Sequence, residues 1–140
     1  MYFWIMKILA IDYGTKRTGF AISDESNIFA FGLCTQETKN NISYLQTLIP
    51  KEKIGTVVIG IPKKLNNELA EIVPKIELFK RQLKNKFPDL KIVDIDERFT
   101  SKMAFQSMID SGMSRKDRQN KALVDEISAT IILQGFLETL

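Results

Sequence analysis

Two short runs limit the fold more than any other feature of this chain. Residues 8–11 (ILAI) and 56–60 (TVVIG) are uninterrupted stretches of non-charged, mainly branched side chains, too short for core helices. A strand with one wet face alternates apolar and polar residues. A strand that is apolar at every position is covered on both faces, and that requires helices above and below one sheet. The chain is therefore expected to be α/β.

The remaining pattern fits around those two strands. Residues 17–23 read as a second strand with Gly19 as its weak point. After the polar corner Asp24-Glu25-Ser26, residues 27–33 complete a three-strand meander. Residues 38–49 have helical spacing, with Ile42, Leu45, Leu48 and Ile49 on one face and Pro50 as the expected stop. A longer helix is expected over 68–86, carrying Leu69, Ile72, Ile76 and Leu83, with Phe87 just beyond it. Pro74 inside it predicts a kink or a later start. A strand follows at 91–96, then a helix capped by Thr100 or Ser101 and ending near Asp110. Residues 111–120 (SGMSRKDRQN) form a polar, basic loop before a last helix over 121–137. The order β-β-β-α-β-α-β-α-α describes a mixed five-stranded central sheet, an antiparallel meander plus two parallel strands, flanked by helices. One domain spanning 1–140 accommodates it, with residues 1–5 as an N-terminal extension or a short edge addition.

Composition removes whole classes of chemistry. The 140 residues include no histidine and one cysteine, Cys34. That excludes imidazole bases, histidine-ligated zinc and any disulfide within the chain. Acid–base or metal chemistry must then run on carboxylates, lysines, hydroxyls or water. No segment has the length of a membrane span and the opening MYFWIMK lacks a basic leader, so a cytoplasmic protein is expected. The formal charge of +3 is compatible with nucleic-acid binding and equally with ordinary solubility.

Three regions place acids where chemistry is feasible. Asp12 ends the first buried strand, and in open α/β sheets ligands gather beyond the carboxyl ends of strands. Its ordinary alternative is to shape the turn before Gly14. The strand ending IVDIDE alternates, so Asp94 and Asp96 share one face while Glu97 follows Val93 and Ile95 on the other. Asp125 lies in a helix that is apolar nearly all round (KALVDEISATIILQGFL), where a carboxylate is costly unless it is paired, metal-bound or near a solvated end. Periodicity alone does not separate Asp125 from Glu126. Acids from two strand ends and one helix can converge, and without histidine their natural ligand is a hard cation, Mg²⁺ or Mn²⁺.

The segments AIDYGTKRTGFA (10–21), VVIGIP (57–62), DERFTSKMAF (96–105) and KALVDEISATIILQGFL (121–137) together resemble the YqgF family, also called RuvX-like, of the ribonuclease H-like superfamily. The match in order and spacing runs from Lys7 through essentially the whole chain. One departure is the loop after Pro62, KKLNNELAE, where many members have an Asp-Gly turn. The resemblance implies a ribonuclease H-like fold and a metal-dependent nuclease site. Its acids fall on Asp12, Glu97 and Asp125, with Mg²⁺ or Mn²⁺ as cofactor. It implies maturation of the 5′ end of 16S ribosomal RNA precursor or, as an alternative, resolution of Holliday junctions in DNA; the non-enzymatic alternative is a protein that binds RNA or the ribosome without cleaving. The expected partners are nucleic acid and a small-subunit ribosomal particle, with no membrane association and a monomer or weak dimer.

Backbone-gripping cations are available for such a substrate: Lys16, Arg17, Arg98, Arg115, Lys116, Arg118 and Lys121. A solvated loop explains the 115–121 cluster equally well, and a solvated helix face explains Lys63-Lys64 and Lys80-Arg81. Thr100 and Ser101 are placed for helix capping or for phosphate contact. The stretch IDYGTKRTG also reads like the phosphate loop of actin-like ATPases and sugar kinases. That fold needs two such domains, and no second phosphate or adenosine motif occurs among the seven glycines.

Overall fold

In the computed structural model the described residues are 6–62, 67–97, 106, 109–112 and 120–140. β1 (Lys7–Tyr13) is the hub of the sheet. It pairs antiparallel with β2 (Arg17–Ser23), which in turn pairs antiparallel with β3 (Ala30–Glu37). On its other side β1 runs parallel to β4 (Ile54–Pro62), which runs parallel to β5 (Lys91–Glu97). The order β3-β2-β1-β4-β5 is the expected mixed five-stranded sheet.

Both faces are covered, as the unbroken apolar runs require. Leu9, Ile11, Phe20, Val57 and Ile59 meet Leu45, Leu48 and Ile49 of α1 (Asn41–Glu52) and Ile76, Phe79 and Leu83 of α2 (Asn67–Lys86). Ile8, Ala10, Ala21 and Val58 meet Ala129, Ile132, Leu133 and Leu137 of α3 (Lys121–Leu137) on the opposite face. Each fully buried Leu or Ile of these layers contributes about 1.5–3 kcal/mol.

Two expectations are corrected. The third strand covers Ala30–Glu37 rather than 27–33. Asp24 Oδ1 accepts the amides of both Ile28 and Phe29, and Asn27 is left-handed at φ 56°, so the corner stays a closed loop up to Phe29. The strand then continues because Thr35, Gln36 and Glu37 find ladder partners in Gly19, Thr18 and Arg17. Pro50 does not stop α1, which runs on to Glu52. Pro50 is exposed, so the carbonyl one turn earlier, on exposed Gln46, can turn to water. The actual terminator is Lys53, left-handed at φ 54°, whose amide bonds to the Ile49 carbonyl.

α2 begins at Asn67, so Pro74 marks no later start. α3 starts where expected, with the Asn120 side chain accepting the Leu123 amide at 3.3 Å. Gln106, Ile109 and Asp110 are helical, in line with the helix expected to end near Asp110. Its expected caps, Thr100 and Ser101, lie outside the described residues, as do residues 1–5, the loop at 63–66 and residues 113–119 of the basic loop.

Candidate metal and phosphate site

Asp12 continues along β1 in the phase of Ile8 and Ala10, the two residues that face α3. Directly across the ladder from Asp12 is Gly19 of β2. A Cβ on Gly19 would overlap the backbone carbonyl of Asp125, so the missing side chain is what lets α3 lie against β2 at this point. Asp125 is thereby brought to the end of the sheet where β1 delivers Asp12. These two acids are 113 positions apart in the chain, and Gly19 is where the backbone carrying the second lies against the strand position opposite the first.

Asp125 is ion-paired. Arg17 Nε donates to Asp125 Oδ2 at 3.1 Å, and the two side chains are 38% and 26% exposed. Burial against the apolar helix raises the Asp125 pKa above the ordinary carboxylate value; the Arg17 bond and the charges of Arg17 and Lys121 oppose this without cancelling it. A carboxylate short of compensating charge in this way favours a further cation. Lys121 stands one turn before Asp125 on α3 and, like Lys16, is exposed.

The turn that joins Asp12 to Arg17 is clamped from below. The Asn41 amide donates to Thr18 Oγ1 at 2.8 Å, and Thr18 and Thr38 share a hydroxyl contact of 2.9 Å. Thr38 Oγ1 donates to the Gly14 carbonyl at 2.6 Å, and the Thr38 amide donates to the Lys16 carbonyl at 2.9 Å. Since the Thr38 proton goes to Gly14, Thr18 is the donor to Thr38, and the chain of bonds runs one way from α1 to the turn. Sequence reasoning missed this clamp, and nothing in the spacing of 14, 18, 38 and 41 announces it. Gly19 did carry a readable signal, since a glycine inside a strand often marks close backbone approach.

Glu97 is the last residue of β5, opposite Pro62 of β4, and follows Val93 and Ile95 in strand phase. Its side chain is not among those described. Among the described residues no group of three or more acids or thiols is placed to hold a metal ion; of the three expected acids, the side chains of Asp12 and Asp125 are among those described. Arg98, Arg115, Lys116 and Arg118 lie outside the described residues, as do Lys63 and Lys64. Glu126, which periodicity could not separate from Asp125, lies elsewhere, with its carboxylate over Gly32 of β3. Lys80 pairs with Asp94 at 2.9 Å and Glu77 at 3.4 Å, which ties it to α2 and β5. Cys34 is half-buried beside the Tyr44 hydroxyl at 3.0 Å and belongs to the α1–α2 core.

Known proteins share both the sequence and this architecture. A family model described as "RuvX: Holliday junction resolvase" matches residues 6–139. A protein of Flavobacterium psychrophilum named "Putative pre-16S rRNA nuclease" is 57% identical over 94% of this chain and 96% of its own length. A protein of the same name from Bacteroides fragilis is 50% identical over 95% of this chain and 96% of its own. Among solved structures, fowlpox virus resolvase in complex with Holliday junction DNA has a TM-score of 0.63 at 17% identity, covering 96% of this chain and 98% of its own. RuvC of T. thermophilus has a TM-score of 0.55 at 15% identity, covering 96% and 95%. At such identities the likeness is one of fold, and with the family match it establishes that this chain belongs to the RuvX (YqgF) family of ribonuclease H-like nucleases.

Proposed function

We propose that this protein is a divalent-metal-dependent endonuclease of structured RNA, acting on the 5′ end of 16S ribosomal RNA precursor through Asp12, Glu97 and Asp125. The observation that carries the reading is the pairing of Asp12 with Gly19 beneath the Asp125 backbone, which supports a site drawn from β1 and α3. The donor chemistry fits a hard cation: oxygen ligands only, no imidazole in the chain, and a half-buried Asp125 short of compensating charge. Asp12, Glu97 and Asp125 would hold Mg²⁺ or Mn²⁺, which when bound activates water and stabilises the leaving oxygen of a phosphodiester. The chain's own residues supply the rest. Thr38 and Thr18 fix the turn carrying Lys16 and Arg17, so that these cations can hold substrate phosphates in register with the acids. The names of the relatives support precursor rRNA as substrate; the family description supports a four-way DNA junction as the second candidate.

The test is incubation with Mn²⁺ or Mg²⁺ and a 16S precursor transcript, beside four-way DNA junctions. Precursor RNA is expected to be cut, and chelation, Asp12→Asn or Glu97→Gln should each abolish cutting. Cleavage by either variant at the wild-type rate overturns the site. Tight RNA binding with no cutting under any metal favours the binding-protein alternative.

A further inference from the structure

We propose that Arg17 is the resident counter-ion of Asp125: its guanidinium occupies the carboxylate until a divalent cation takes it, and is then released toward the substrate phosphate. The inference rests on the reading of Asp125 as a metal ligand. It deepens that reading by giving Arg17 two successive partners.

The geometry supports exchange rather than a permanent lock. The contact runs through Nε to a single carboxylate oxygen, at 3.1 Å, and both side chains keep part of their surface in solvent. Giving up the pair is not costly provided that another cation replaces Arg17 on the carboxylate. The backbone beneath Arg17 is held on both sides. Thr18 is fully buried and bonded to Asn41 and Thr38, while the Lys16 carbonyl accepts the Thr38 amide. The moving part is therefore the side chain alone. Asp125 in turn sits half-buried on a helix that is apolar around most of its circumference, where an uncompensated carboxylate is costly; Arg17 meets that need while no metal is bound. A guanidinium released next to the cleavage site presents a planar set of donors that matches phosphate oxygens.

Competition has a sign that can be measured. A cation resting on a ligand opposes the metal, so removing it tightens metal binding even though it removes a helpful contact to substrate. The experiment is calorimetric titration of the full chain with Mn²⁺ alone, for wild type, Arg17→Gln, Arg17→Lys and Asp125→Asn, with thermal melting to show that each is folded. Arg17→Gln is expected to tighten Mn²⁺ about 3- to 10-fold while lowering cleavage at saturating Mn²⁺. Arg17→Lys, which keeps the charge, should bind Mn²⁺ within about twofold of wild type and regain part of the cleavage. Asp125→Asn should weaken Mn²⁺ at least tenfold. If Asp125→Asn weakens Mn²⁺ but Arg17→Gln leaves it unchanged or weaker, Arg17 is a holder of Asp125 or a phosphate contact only, and the counter-ion role is overturned while the metal site stands. If Asp125→Asn does not alter Mn²⁺ binding, the metal reading fails and this inference with it.

Discussion

Gly19 is the position where one atom decides the site. Its missing Cβ lets the Asp125 carbonyl approach β2 directly opposite Asp12. Gly19→Ala should force α3 away from the strand, with a loss of about 1–3 kcal/mol in denaturant unfolding. Cleavage should fall further than stability does, by about 100-fold, because the acids lose their relative placement. A variant as active as wild type would show that this contact does not set the site. Asp24 controls a second residue-scale property. The Phe29 amide is the largest influence on its carboxyl and, with the Ile28 amide, holds it below the ordinary value of 3.8 against desolvation, which ranks between the two. A depressed carboxylate pKa stabilises the fold above the unfolded value and loses that contribution as pH falls through the folded one. Acid unfolding monitored below pH 3.8 should therefore be shallower in Asp24→Asn than in wild type, with faster amide exchange at Ile28 and Phe29.

At the scale of elements, α1 carries a mismatch between local preference and final form. Proline in a helix removes one hydrogen bond and crowds the preceding turn, which costs about 3 kcal/mol in a helix interior. Yet α1 includes Pro50, because Leu45, Leu48 and Ile49 must reach the core and Lys53 closes the helix beyond it. Pro50→Ala restores a donor for the Gln46 carbonyl and loses some rigidity of the unfolded chain. The expected result is a net gain of about 1–2 kcal/mol, read from the urea midpoint. An unchanged or lower midpoint would mean that the last turn bears no strain. The same helix supplies Asn41 to the clamp beneath the 14–16 turn, so its position bears on the site as well as on the core.

At the scale of the whole molecule, cations differ in how they are engaged. On the α2 side Lys80 is held by Asp94 and Glu77, whereas Arg17 and Lys121 act on Asp125 and Lys16 is exposed in the turn after β1. Binding of precursor RNA to the uncleaving Asp12→Asn protein should weaken steeply with salt. Lys16→Ala and Lys121→Ala should each reduce the slope of log affinity against log salt by about 0.7–0.9, and Lys80→Ala should leave it unchanged. Equal slopes for all three variants would place the RNA elsewhere. Among the described residues no helix is long and apolar enough to cross a membrane.

The sequence by itself determined that five strands form, the two-faced burial of β1 and β4, and the expectation of oxygen donors at the candidate site; the bounds of β3 it did not. Residues 8–11 and 57–59 are buried on both faces because nothing polar interrupts them, and the absence of histidine leaves oxygen donors as the ligands. Glu97 was legible as a strand end, and Asp12 as lying one residue short of one, because alternation and hydrophobic runs are local patterns. The pairings were not legible. Arg17 and Asp125 are 108 residues apart, and as a surface cation and a helix acid they offer no local sign that they meet. Asp125 and Glu126 likewise share one periodicity, and only the close approach at Gly19 sends the first to the sheet end and the second over Gly32. Local pattern sets which residues are buried and where elements end; which distant side chains then touch depends on how closely the backbones can approach, and that is settled only when the layers pack.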